Sequence, residues 1–237
     1  MKDDGEERTP LQLTMGWGTL EMVKCLVDAG ALVNDPARET SHTALGEAVR
    51  LQNLEMIEFL LERGADIEAF ANEDMTLLEL SVNSKYTEYG FSDDLAKIFK
   101  ALLEAGADIN GPTPRVQSAN WNTALTTAIM NPDADKHIRD ALDAGANIHQ
   151  IGGGEMARTP LQAAAESGRI DITKELLKRG ACVNALAAPD NGRTALQAAC
   201  GGGKKSSKMI SLLLKDGADV SAPAAPRYGR TAKVVNK

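Results

Sequence analysis

Residues 9–34, TPLQLTMGWGTLEMVKCLVDAGALVN, and residues 159–184, TPLQAAAESGRIDITKELLKRGACVN, align without a gap. Two further copies are plain, TALGEAVRLQNLEMIEFLLERGADIE at 43–68 and TALQAACGGGKKSSKMISLLLKDGADVS at 194–221. Divergent copies begin at Thr76 and Thr123, and a truncated seventh, GRTAKVV, occupies 229–235. The anchor threonines are Thr9, Thr43, Thr76, Thr123, Thr159, Thr194 and Thr231, spaced by 34, 33, 47, 36, 35 and 37 residues. Each copy closes on a glycine: Gly30, Gly64, Gly106, Gly145, Gly180 and Gly217. Units this short cannot bury an apolar face alone, so successive copies must stack on their neighbours.

One copy, read residue by residue, specifies a helix pair. Thr159 suits an N-cap, and Pro160 suits the first helical turn, where a missing N–H costs nothing. Leu161 and Ala164 give the first helix (helix A) a narrow apolar stripe, and Gly168 ends it. Ile170, Ile172, Leu176 and Leu177 form the apolar face of helix B. Lys178 and Arg179 complement its C-terminal dipole, and Gly180 caps it. The turn-rich dozen residues that follow read as a projecting hairpin, or finger. Five residues after each threonine stands a small residue (Thr14, Ala48, Ser81, Ala128, Ala164, Ala199), which lets neighbouring helices approach. Cys25 and Cys200 fall at apolar helix positions and are expected in the core. With aromatics at only 4%, that core must be aliphatic, which suits stacked helices.

A period near 33 with a T-P-L-x-x-A start resembles the ankyrin repeat. The variant TALQAA, with GADVSAPAAPRYGRT, looks like the long ankyrin arrays of filamentous fungi. The resemblance covers nearly the whole chain. It implies an all-α solenoid of about six helix-turn-helix repeats with projecting fingers. The expected single domain, 1–237, divides at about 9–42, 43–75, 76–122, 123–158, 159–193 and 194–230, with a partial seventh repeat at 231–237. The seventh copy stops unfinished and polar end caps are not evident, so the chain also reads as a piece of a longer array.

Several function classes find no support. No apolar run approaches the roughly 18 residues of a membrane span, and MKDDGEER does not read as a secretory signal. Three cysteines, an odd number without a CxxC pair or a neighbouring His, indicate neither a disulfide framework nor a metal site. A reducing compartment follows, cytoplasmic or nuclear, with no cofactor expected. GGGKKSS (201–207) fails as a phosphate loop, because Ala198 stands where the first glycine belongs and Lys205 where the Ser/Thr belongs. It reads instead as an enlarged turn between helices A and B. His42, His137 and His149 are isolated in sequence. Residues 1–150 hold 12 Lys and Arg against 26 Asp and Glu, whereas 151–237 hold 14 against 7. Such polarity either steers a charged partner or is drift of a solvated surface. The basic part has no aromatic interleaving, so no nucleic-acid partner is expected. A monomer is the simpler expectation.

The pattern departs from the family in copies two to four. The family often has His at the fourth position of the motif; here it is Gln12, Gln162 and Gln197, but Gly46, Glu79 and Thr126 in the divergent copies. The next position is apolar as Leu13, Leu80, Ala163 and Ala198, but Glu47 in copy two and Thr127 in copy four. A carboxylate there needs a partner or water. From threonine to glycine copy three spans 30 residues against 21 in copy five, and the addition falls at SKYTEYGFSDD, 84–94. The following finger is also long and holds Trp121.

Two functional readings follow. In the family, partners usually meet a concave face built by the residue before each threonine and those seven or eight after it. The resemblance therefore implies contacts from Arg8, Trp17, His42, Arg50, Leu51, Met75, Asn83, Ser84, Asn122, Met130, Arg158, Glu166 and Arg193. On this reading the chain is a non-enzymatic scaffold for a protein or peptide, with Trp17 either a hot spot or a cover for the first helix pair. The alternative is a small-molecule site in repeats two to four, walled by Tyr86, Tyr89, Phe91 and Trp121 in the 83–94 and 111–121 insertions. Glu47, Glu79 and His42 would supply acid–base groups for an isomerisation or cyclisation of an apolar metabolite.

Overall fold

The computed structural model describes residues 8–35, 42–69, 71, 75–83, 93–111, 122–153, 157–188, 192–201 and 206–223. Among these it is helical, with no strand beyond an isolated bridge at Met75. The chain divides into two compact units, Met1–Val116 and Gln117–Lys237. The first holds α1 (Pro10–Trp17), α2 (Leu20–Asp28), α3 (Ala44–Arg50), α4 (Leu54–Glu62), α5 (Leu77–Val82) and α6 (Asp93–Glu104). The second holds α7 (Ala124–Met130), α8 (Asp135–Asp143), α9 (Pro160–Glu166), α10 (Ile170–Lys178), α11 (Ala195–Gly201) and α12 (Ser206–Lys215).

Odd-numbered helices are the A helices and even-numbered ones the B helices. In the first unit α1 packs on α3 and α3 on α5, while α2 packs on α4 and α4 on α6. In the second α7 packs on α9, α9 on α11, and α10 on α12. None of the described helices is long and apolar enough to cross a membrane.

The anchors behave as their chemistry requires. Thr9, Thr43, Thr76, Thr123 and Thr159 are N-caps whose hydroxyls accept the backbone N–H three residues on. Thr194 does the same for Gln197 at 3.3 Å. The closing glycines take φ between +82° and +100°, a left-handed conformation that ends each B helix. A Cβ at Gly64 or Gly180 would meet nothing within 4 Å, so backbone conformation, not crowding, selects glycine there.

The small positions are buried at Ala48, Ser81, Ala128, Ala164 and Ala199, with Thr14 half-buried. Around them Leu60, Ile98 and Leu102 in the first unit, and Ile138, Leu176 and Leu213 in the second, make aliphatic cores, with Phe59 and Phe99 as buried aromatics of the first.

Three expectations need correction. Cys25 and Cys200 are exposed, as is Cys182. In α2 the buried residue is Val23, and two residues further on the helix has turned Cys25 to the other side. Cys200 follows the buried Ala198 and Ala199 on the solvent side of α11. Trp17 covers nothing: at the end of α1 it is 97% exposed. Leu13 is 53% exposed, whereas Leu80, Ala163 and Ala198 at the same position are buried. Among the A helices α1 packs on α3 alone, so one of its flanks has no helical neighbour among the described residues.

Adjacent fingers are stapled by side chains that the repeat pattern did not flag. Asn34 donates to the Gly64 carbonyl at 2.9 Å and accepts the Asp66 N–H at 2.8 Å. Asn184 repeats this with Gly217 at 2.9 Å and Asp219 at 2.8 Å. Glu68 accepts the Asp108 N–H at 2.8 Å. One amide thus satisfies a carbonyl and an N–H that belong to the next copy.

Candidate functional site

The residue before each threonine ends a finger, and two helical turns later the chain returns to the same side. In copy five this brings together Arg158 and Glu166. Arg158 is only 5% exposed, and its guanidinium forks onto the carboxylate, Nε to Oε2 and Nη2 to Oε1 at 3.1 Å. A planar fork on a carboxylate fixes geometry as well as charge. Gln162, beneath it, closes the finger: its Nε2 donates to the carbonyls of Ala185 at 3.1 Å and Leu186 at 3.0 Å.

Copy two solves the same problem with other residues. Arg50 forks onto Glu47, Nε to Oε2 at 2.9 Å and Nη2 to Oε1 at 2.8 Å. His42 Nδ1 lies 3.4 Å from Glu47 Oε2. Glu47 is therefore partnered within its own copy, which is how a carboxylate is tolerated at a position apolar in most other copies. Burial holds the His42 imidazole below its ordinary 6.5; Glu47 opposes this and the cations Arg50 and Arg8 add to it. His42 is thus neutral at pH 7, set between two guanidiniums and one carboxylate.

Glu79 is placed differently. It is buried and completes a capping box with Thr76: the Thr76 N–H donates to Glu79 Oε2 at 2.9 Å, and the Glu79 N–H donates to Thr76 Oγ1 at 3.2 Å. Burial pushes its carboxyl up from 4.5 to about 7, partly offset by the hydrogen bonds with Thr76. Neither Glu47 nor His42 contributes to that shift, and Glu79 stays with its own cap.

The remaining candidates separate by exposure. Trp17, Arg8 and Arg193 are exposed, as is Met130 at 49%. Met75, Asn83 and Asn122 are half-buried. Tyr86, Tyr89, Phe91 and Trp121 lie outside the described residues, as does Ser84. The described residues contain no group of three or more His, Cys, Asp or Glu able to hold a metal.

Three arginines tie copy to copy, a role that the sequence reading gave to none of them. Arg63 donates to Asp28 at 2.6 Å and stacks 4.6 Å from the Phe59 ring centroid. Arg179 reaches the Leu142 carbonyl at 3.2 Å and Asp143 at 3.3 Å. Arg169 donates to the carbonyls of Ile129 at 3.2 Å and Asn131 at 2.8 Å. A signal existed for two of them, since Arg63 and Arg179 each stand immediately before a closing glycine.

The comparisons agree with this architecture. A family model for ankyrin repeats (3 copies) matches residues 1–71, 90–187 and 136–224. The chain is 46% identical over 67 residues, 28% of its length, to the BRCA1-associated RING domain protein 1 of Caenorhabditis elegans. It is 28% identical over 188 residues, 77% of its length, to Rabankyrin-5 of Mus musculus. It is 30% identical over 178 residues, 74% of its length, to an ankyrin repeat and KH domain-containing protein of Caenorhabditis briggsae. It spans only 9%, 15% and 6% of those relatives, respectively. With its threonine caps, left-handed closing glycines and stacked helix pairs, the chain belongs to the ankyrin-repeat family.

Proposed function

We propose that the chain is a non-enzymatic scaffold that holds a protein or peptide partner on the face formed by the finger ends and the A helices. Ankyrin repeats are in general protein–protein interaction modules, which supports the class of function. The observation that carries the choice of face is the 97% exposure of Trp17 on α1, at a position where the family makes contacts. Met130 and Arg193 present further exposed contact groups at corresponding places. Trp, Met and Arg are the residue types enriched in interfaces. Arg158–Glu166 and Arg50–Glu47, each within its own copy, are already locked together, so little side-chain freedom is lost when a partner docks there. In this proposal the chain acts as a monomer in a reducing compartment, cytoplasm or nucleus.

Two described features would favour a catalytic pocket: the His42–Glu47 contact, whose carboxylate is already bound by Arg50, and the raised carboxyl of Glu79, which its burial as a helix cap already accounts for. A peptide-display selection against the whole chain tests the scaffold. Trp17→Ala and Arg193→Glu should each weaken the selected binders at least tenfold, as interface anchors do when truncated. Binders unaffected by either change would place the partner on another face.

A further inference from the structure

Two copies of the second unit place an arginine immediately before the anchor threonine, Arg158 and Arg193. Both turn back over the A helix of their own copy, toward the residue seven past the threonine. In copy five that residue is Glu166, and the Arg158 guanidinium forks onto its carboxylate, Nε to Oε2 and Nη2 to Oε1 at 3.1 Å. In copy six it is Gly201, the last residue of α11. A Cβ built there would lie 3.0 Å from Arg193 Nη1, so the guanidinium reaches the corresponding place and meets no side chain. The arrangement is particular to copy six. In copy one Arg8 also precedes the threonine, but a Cβ on Gly16, seven past Thr9, would meet nothing within 4 Å.

The backbone of Arg193 is fixed on both sides. Gly192 is buried, and a Cβ on it would lie 2.2 Å from the Ala188 backbone nitrogen, so the finger packs directly on the residue before Arg193. Thr194, the residue after, donates its N–H to Gln197 Oε1 at 3.0 Å and accepts the Gln197 N–H at 3.3 Å. The Arg193 side chain is exposed, and its guanidinium has no hydrogen-bond or ion-pair partner among the described residues. Carboxylates of the preceding copy are engaged elsewhere: Glu166 by Arg158, Asp171 by Lys174 and Glu175 by Arg179. The C-terminal dipole of α11 favours a cation at this spot but leaves the planar set of N–H donors unfilled.

We infer that Arg193 and Gly201 form a seat for a carboxylate side chain of the partner: an aspartate or glutamate of the docked protein or peptide enters over Gly201 and fills the fork that Glu166 fills in copy five. The inference rests on the scaffold reading and gives its partner a chemistry. A planar guanidinium receives a carboxylate through two parallel N–H···O bonds, which fixes direction as well as charge. Gly201 is not among the glycines with positive φ, so the backbone there does not demand glycine; what glycine provides is room beside the guanidinium. Residues 151–237 carry 14 Lys and Arg against 7 Asp and Glu, a balance that draws an acidic segment toward this part of the chain.

Peptides displayed as fusions without a free C-terminus, selected on the whole chain, test the seat. The selected sequences should be enriched in Asp or Glu. Replacing the shared carboxylate by its amide should weaken a synthetic, C-terminally amidated peptide about tenfold. In Arg193→Gln the same replacement should cost nothing further. Gly201→Glu, which supplies the carboxylate from within, should itself weaken the acidic peptide about tenfold. Binders that keep their affinity in Arg193→Gln would overturn the seat; if they still depend on Trp17, the scaffold reading stands without it. If no peptide is selected, the scaffold reading fails on its own account, and Gly201→Glu decides the seat by nitrogen-15 NMR. Arg193 side-chain N–H groups slowed in exchange with water by the engineered carboxylate support it, and unaltered ones overturn it.

Discussion

Copies two and five close a finger onto a helix by opposite means. In copy five Gln162 reaches out to two finger carbonyls, and Arg158, nearly buried, grips Glu166. In copy two the reaching residue is absent. A Cβ built on Gly46 would lie 2.7 Å from the Ala71 carbonyl oxygen and 2.9 Å from its Cα, so the finger backbone occupies the space a side chain would fill. The ion pair is likewise rebuilt within one helix, from Arg50 and Glu47. What is held constant is the closure of finger on helix, not the residues that accomplish it.

The largest test of this comparison is to unfork both pairs. Arg50→Met should cost about 3 kcal/mol in urea unfolding, because it strands the Glu47 carboxylate, which is only 13% exposed. Arg158→Met should cost about 1 kcal/mol less, since the Glu166 carboxylate that it strands is 32% exposed. Equal losses would mean that burial does not distinguish the two copies. Next comes Gly46→Ala, which should destabilise by about 1–2 kcal/mol: overpacking against Ala71 outweighs the better helix propensity of alanine. The smallest effect has the opposite sign. A Cβ at Gly16 in α1 meets nothing within 4 Å, so Gly16→Ala should stabilise by about 0.5 kcal/mol. A stabilising Gly46→Ala would break the argument that backbone fills the side-chain space in copy two.

These contrasts mark how far the sequence could be read. The caps and closing glycines were legible because each is a local requirement, met by one residue at one place in its own copy. The small position at Ala48 and Ala164 was legible because it recurs. Cys25 and Cys200 were misread because a short helix pattern does not say which side of a residue meets a neighbour. Gly46 looked like a mere departure, since the backbone that fills its space comes from Ala71 in another part of the chain. The dilemma posed by Glu47 was visible, but its answer was not: a partner three residues on is apparent only once the helix places Arg50 beside it. For Tyr86, Tyr89 and Trp121 the expected pocket walls lie outside the described residues.

The finger staples give the extra length of copy three a context. Copy three spans nine residues more from Thr76 to Gly106 than copy five does from Thr159 to Gly180. Asn34, Glu68 and Asn184 pass the register from one copy to the next along the fingers, by a route that bypasses the link between helices A and B. Text inserted at that link is thus a parenthesis rather than a frameshift. The staple from Glu68 to Asp108 keeps its place in the sentence however long the aside becomes.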